Sequence, residues 1–166
     1  MAADGIPVLR FDAARGPDGA FAPDFLDRLR TALHEVGFLQ LTHFGAAPEQ
    51  IAELTAATEA FFALPLADRL ALDNRASPHF RGYTRLGHEI TAGRPDAREQ
   101  LDFAPERPAV PREAWDAPFR LLEGPNQWPD AQLPALRPLV LAWAELLAGV
   151  GAELTAAIAA SLGLAE

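Results

Sequence analysis

Gly37-Phe38-Leu39-Gln40-Leu41-Thr42-His43-Phe44-Gly45 is the stretch on which the fold turns. Phe38, Leu39, Leu41 and Phe44 make it densely apolar, and a glycine stands at either end. It is too short for an ordinary helix and is bounded by breakers, so it is expected to form a largely buried strand. Helical spacing on both sides makes it the expected central rail of a mixed α and β core.

Upstream, Phe25, Leu26, Leu29, Leu33 and Val36 recur at helical spacing. Pro23 suits the first helical position, and Gly37 suits a left-handed stop. Before that helix, Asp12 to Ala22 is rich in Gly, Pro and Asp and reads as a loop. Ile6 to Phe11 reads as a short first strand, with Pro7 near its start where an edge tolerates a missing N–H. Downstream, Pro48 opens a second helix whose face is Ile51, Leu54, Thr58, Phe61 and Phe62. Leu64-Pro65 breaks it, Leu66 to Leu72 adds a turn or two, and Asn74 to Pro78 is a turn cluster. Gly82 to Leu86 and Glu99 to Phe103 read as short extended pieces joined by a link containing Gly and Pro. Residues 105–134 are proline-rich without a regular pattern, the mark of a functional or covering loop.

From residue 134 to 162, Leu136, Leu139, Val140, Trp143, Leu147 and Leu154 belong to one series stepping by three and four. The series predicts a long amphipathic helix. Gly149 and Gly151 inside it each cost about 1 kcal/mol relative to Ala. Close approach of another backbone is the expected compensation.

With 166 residues and 49% apolar content, the chain is globular, either one domain or part of a larger protein. A formal net charge of −9 argues against a nucleic-acid partner. There is no Cys, hence no disulfide framework. The N-terminus lacks the basic-then-apolar pattern of a signal peptide. Arg137, Glu145 and Glu153 interrupt the most apolar region, which argues against a membrane span. A soluble, cytoplasmic protein is expected. All 14 basic residues are Arg, and Ala, Pro and Gly abound, which points to a GC-rich bacterial genome.

The chemistry-bearing residues are sparse. His34, His43, His79 and His88 fall in no H-x-D, H-x-E or H-E-x-x-H pattern, and no second ligand lies at helical spacing. Ser77 and Ser161 sit in no nucleophile elbow, and no glycine-rich phosphate loop occurs. Asp24/Asp27 and Asp96/Glu99 read as solvated faces and caps. No catalytic residue and no metal ligand is assigned, because these residues do not compose a complete catalytic apparatus.

Six stretches in order nonetheless resemble one family. Ile6-Pro7-Val8 with Phe11-Asp12 resembles an opening I-P-V-I-D strand, and Gly37 to Leu41 a G-F-F-Q-L strand. Phe61 to Pro65 resembles F-F-x-L-P. Arg81-Gly82-Tyr83 with Leu86-Gly87 resembles R-G-Y-x-x-L-G. Arg98-Glu99 with Asp102-Phe103 resembles K-E-x-F-D-F, and Gly124 to Pro129 is similar to G-P-N-x-W-P. Together they resemble the N-terminal region of the isopenicillin N synthase-like non-haem iron, 2-oxoglutarate-dependent oxygenases. One departure stands out: His43-Phe44-Gly45 replaces the usual N-H-G or G-H-G.

The resemblance implies an α+β fold, helices packed on a few strands, spanning residues 1–166. It divides into a strand, helix and loop portion over 6–133 and the long helix over 134–162. In the family a double-stranded β-helix (jelly-roll) follows, carrying H-x-D, a distal His and R-x-S. These do not follow the long helix here, so the jelly-roll core is expected to be missing from this chain. The resemblance therefore implies a scaffold and substrate-entrance part of an oxygenase acting on a small organic substrate, with a C-terminal jelly-roll as partner. Fe(II) and 2-oxoglutarate are expected for the parent enzyme, neither bound by this chain alone. The alternative is a truncated, non-catalytic relative that docks a partner through its helix face. In either case an apolar patch along Leu139, Trp143, Leu147 and Leu154 is expected to be exposed. Arg81 and Tyr83 are the candidate substrate-binding residues, expected to point outward together on either side of Gly82. The competing reading is structural, with Arg81 paired to a nearby acid and Tyr83 filling the sheet.

Overall fold

The computed structural model describes residues 5–164. In chain order the elements are β1 (Val8–Arg10), α1 (Pro23–Thr31), β2 (Gln40–Thr42), α2 (Pro48–Phe62), α3 (Leu66–Leu70), β3 (Gly82–Thr84), β4 (Ile90–Thr91), β5 (Arg94–Pro95), β6 (Gln100–Asp102) and α4 (Leu136–Ser161). The architecture is α+β. Contacts divide the chain into two units, one built from the segment through Gln50 plus the segment from Ala142, the other from Ile51–Leu141.

In the first unit β1 and β2 pair in parallel, Leu9 opposite Leu41. Pro23 starts α1, where its missing N–H costs nothing. The helix loosens into a π-turn over Ala32–Val36 and stops at Gly37, whose φ of 78° is the left-handed cap anticipated above. Its N–H donates to Ala32 O at 3.1 Å. Leu9, Phe21, Phe25, Leu29 and Ala157 form the buried core. Leu29 and Ala157 are fully enclosed.

Three expectations need correction in this unit. The central stretch is regular only over Gln40–Thr42, and Phe38 is 68% exposed. The strand is not a buried rail because β1 is its one partner among the described residues, so only the Leu39 and Leu41 side packs on the core. A Cβ added at Gly149 or Gly151 would meet nothing within 4 Å, so no backbone of the described residues approaches α4 there. The predicted apolar patch is also narrower. Leu154 packs against the core, Trp143 lies edge-on to Phe44 at 6.1 Å, and only Leu147 of the four is exposed. By length and composition α4 could cross a membrane. Its C-terminal half instead buries Ala157 in protein and pairs Glu153 with Arg15.

In the second unit β3 and β6 pair antiparallel, Tyr83 opposite Leu101. The link between them contains the β4–β5 hairpin. Its two turn residues, Ala92 (φ 51°) and Gly93 (φ 78°), both take positive φ, as a two-residue hairpin turn requires. Phe61, Tyr83 and Leu136 form the buried core, with the Phe61 ring edge-on to Tyr83 at 6.0 Å. Residues 105–134 hold only two short 3-10 turns, Arg112–Ala114 and Pro118–Leu122.

Candidate functional site

The R-G-Y segment enters β3 through a backbone that only glycine can follow. Gly82 has φ of 117°, and a Cβ there would stand 2.2 Å from Leu72 O and 2.4 Å from Gln127 Nε2. That close approach lets Tyr83 N donate to Leu72 O at 2.7 Å. Gln127 Nε2 closes the same junction, donating to Arg81 O at 2.7 Å and within bonding distance of Leu72 O and Asp73 O.

Arg81 and Tyr83 do not point outward together. Tyr83 is 1% exposed. Its hydroxyl donates to Glu99 Oε2 and accepts from Arg69 Nη1 at 3.1 Å, while Arg69 also pairs with Glu99. Burial raises the Tyr83 hydroxyl above its ordinary range, and the hydrogen bond and charge of Glu99 push it the same way. Arg81 directs Nη1 to His79 O at 2.6 Å and Nη2 to Leu122 O at 2.7 Å. Both Nη groups are spent on backbone carbonyls, Nε is buried without a hydrogen-bond partner, and no acid pairs with Arg81 among the described residues. The reason is local: Phe80, in the left-handed region at φ of 56°, swings the chain so that its own ring is exposed and Arg81 turns inward.

What the two residues frame is a cavity of about 550 Å³. One wall is apolar, from Phe80, Ile90, Leu121 and Leu122; polar groups reach it from Asn74, Arg85 and His88. Tyr83 lines it, whereas Arg81 acts from behind by holding Leu122. His79 does the same for the neighbouring carbonyl, its Nδ1 lying 2.7 Å from Leu121 O. The close packing of the His79 ring, 2.2 Å from where a Cβ on Gly124 would be, explains the glycine of G-P-N-x-W-P. Asn74 Nδ2 donates to Thr84 Oγ1 at 2.8 Å and steadies the floor. Asp73, at the edge, is held down to about 2 by hydrogen bonds from Arg75, against the opposing effect of burial.

The remaining motif residues form a latch. Asn126 accepts from Ala104 N at 2.9 Å and donates to Ala104 O at 2.8 Å and Glu106 Oε2 at 2.7 Å. Trp128 stacks on Phe103 at 4.4 Å and donates to Glu106 at 3.0 Å. Burial lifts the Glu106 carboxyl, but bonds from Asn126 and Trp128 and the Arg137 charge outweigh it and leave the group below its usual range.

Sequence reasoning missed Phe80, Arg85, Leu121 and Leu122. Arg85 fills one of the two unspecified places in R-G-Y-x-x-L-G, and that openness is the only signal the sequence offered. Among the described residues no three His, Cys, Asp or Glu side chains are grouped so as to hold a metal ion. His43 sits in the left-handed turn after β2, and His34 and His88 are exposed.

A family profile described as "non-haem dioxygenase in morphine synthesis N-terminal" matches residues 6–131. A 2-oxoglutarate-dependent dioxygenase, frbJ, of Dothideomycetidae sp. is 36% identical over 99% of this chain and 43% of its own length. A homoarginine-6-hydroxylase of Glycine max is 28% identical over 98% of this chain and 51% of its own. The chain thus spans about half the length, or less, of these curated relatives. Among solved structures, a 2OG-Fe(II) oxygenase family protein from Caulobacter crescentus superposes with a TM-score of 0.74 at 24% identity, covering 98% of this chain and 50% of that one. That likeness is one of fold.

Proposed function

Because this chain belongs to the family of non-haem dioxygenase N-terminal regions, we propose that it is the scaffold and one wall of the substrate entrance of an Fe(II)- and 2-oxoglutarate-dependent oxygenase acting on a small organic molecule in the cytoplasm. The observation that carries this reading is the cavity of the second unit, lined by exposed apolar side chains and framed by the family's own motif residues. Arg81 and Tyr83 belong to that entrance. Tyr83 closes its base, and Arg81 holds its apolar wall in place through Leu122.

The residues of this chain do not fit the iron centre itself. No described group of three or more ligating side chains exists, and His79 is committed to Leu121 O. The one R-x-S match, Arg75-Ala76-Ser77, lies ahead of the long helix and its Arg75 is bound by Asp73, so it is not the 2-oxoglutarate anchor. In this proposal a jelly-roll partner domain supplies both, and no chemical step is assigned to side chains of residues 1–166. Anaerobic calorimetry of this chain is expected to show no Fe(II) binding at micromolar concentration. A stoichiometric site abolished by His43→Ala or His88→Ala would contradict the division of labour.

The decisive test is the reading frame that follows Glu166. H-x-D, a distal His and R-x-S are expected there, and the enzyme they complete should consume 2-oxoglutarate. An immediate stop codon would overturn the oxygenase role in favour of an interaction module. In the complete enzyme, Arg81→Ala is expected to raise KM for the organic substrate and spare that for 2-oxoglutarate. Unchanged KM for both, with a lowered Tm, would make Arg81 scaffold alone.

A further inference from the structure

We infer that the cavity of the second unit binds a small organic acid, a carboxylate on an apolar body, and that Arg85 holds the carboxylate. This rests on reading the cavity as a substrate entrance and names the chemical class that enters.

The charges around the cavity cancel except at one place. Asp73 is bound bidentately by Arg75, Nε to Oδ1 at 2.9 Å and Nη2 to Oδ2 at 2.7 Å. Glu89 is bound by Arg98, with Nε at 3.0 Å from Oε2. Arg85 gives only its Nε to a protein partner, His88 Nε2. Neither of its Nη groups has a hydrogen-bond or ion-pair partner among the described residues. In a chain of net charge −9, the lining of this cavity therefore offers a locally uncompensated cation.

The rest of the lining states what the anion is attached to. Phe80, Ile90, Leu121 and Leu122 are 58%, 61%, 40% and 48% exposed, yet all four border the same hollow. Large apolar side chains gathered at one concave surface, rather than scattered, mark a binding site for an apolar body. Phe80 is presented there by a left-handed backbone that a bulky residue rarely adopts. A free guanidinium edge matches the two oxygens of a carboxylate. A phosphate is the poorer fit. Its second charge would lack a partner in the lining.

The purified chain can be titrated with naphthoate, naphthamide and naphthyl phosphate, followed by backbone-amide NMR on wild type, Arg85→Gln and Arg85→Lys. Naphthoate is expected to shift the amides of Phe80, Arg85 and Leu122 and to bind about tenfold or more tightly than naphthamide, the worth of a hydrogen bond to a charged group. Arg85→Gln should erase that preference while leaving naphthamide binding within about twofold, and Arg85→Lys should restore part of it. Because Arg85 is exposed, the variants are expected to melt with the wild type. Equal affinity for acid and amide, an unaffected Arg85→Gln, tighter phosphate binding, shifts confined to other residues, or no binding at all would each overturn the assignment. The reading frame beyond Glu166 tests the oxygenase role separately. Iron motifs there with no acid preference here would remove the substrate class alone; acid binding with a stop codon there would remove the oxygenase role alone.

Discussion

Gly82 alone among the described glycines combines a steric block with a positive φ. A Cβ would overlap Leu72 O, and its φ of 117° is strained for any L-residue. Gly82→Ala is therefore expected to destabilise the protein by roughly 3 kcal/mol or more, read as a large drop in the denaturant midpoint. Next to it, Tyr83→Phe removes the hydroxyl shared by Arg69 and Glu99 and should cost about 1 to 2 kcal/mol. Arg69→Met, which strands a partly buried Glu99, should cost more. Acid titration should expose Asp73. Arg75 depresses its folded pKa from 3.8 to about 2, so the pair's stabilisation is fully present above the unfolded value. It is lost as pH falls from about 4 toward about 2. Asp73→Asn should flatten the stability profile in that window; an unchanged acid limb would show that the pair contributes nothing. The motif R-G-Y was plain in the sequence, but its roles were not. Whether an Arg points outward depends on the φ of the residue before it, and Phe80 gives no sign of a left-handed turn.

At the scale of elements, the helices were legible and the sheet pairings less so. Periodicity, Pro23, Pro48 and Gly37 located α1 and α2, because caps and apolar faces are encoded locally. The β4–β5 hairpin escaped notice because Ala92 occupies a turn position at which Asn or Asp would have announced it. The exposure of β2 could not be read either, since it depends on how many strands pair beside it. Asn126 exemplifies a third case: visible as a motif letter, understood only as a latch on Ala104 and Glu106. Asn126→Ala is expected to cost about 1 to 3 kcal/mol and to raise hydrogen exchange over residues 103–106. Gly149→Ala and Gly151→Ala should go the other way. Open space at both Cβ positions leaves only the helix propensity, so each should stabilise by about 0.5 to 1 kcal/mol. Destabilisation by either would reveal a neighbour that packs on α4 there.

For the molecule as a whole, one unit is continuous in sequence and the other is not. The second unit, Ile51–Leu141, is an unbroken run. The first needs its N-terminal segment and the far half of α4 together, since Leu9, Phe25 and Leu29 share a core with Ala157 and Arg15 pairs with Glu153. That arrangement imposes an order of events during synthesis. Residues 8–33 leave the ribosome ahead of the second unit yet must wait with their apolar face unsatisfied until α4 has been made. Closing that core across all of residues 51–141 pays a loop entropy that ordering the intervening unit reduces. Stalled nascent chains should show it: residues 51–141 become protease-resistant as soon as they emerge, whereas residues 8–33 stay cleavable until Ala157 is out. Of the two units, the one whose chain is begun earlier is thus the one whose core closes later.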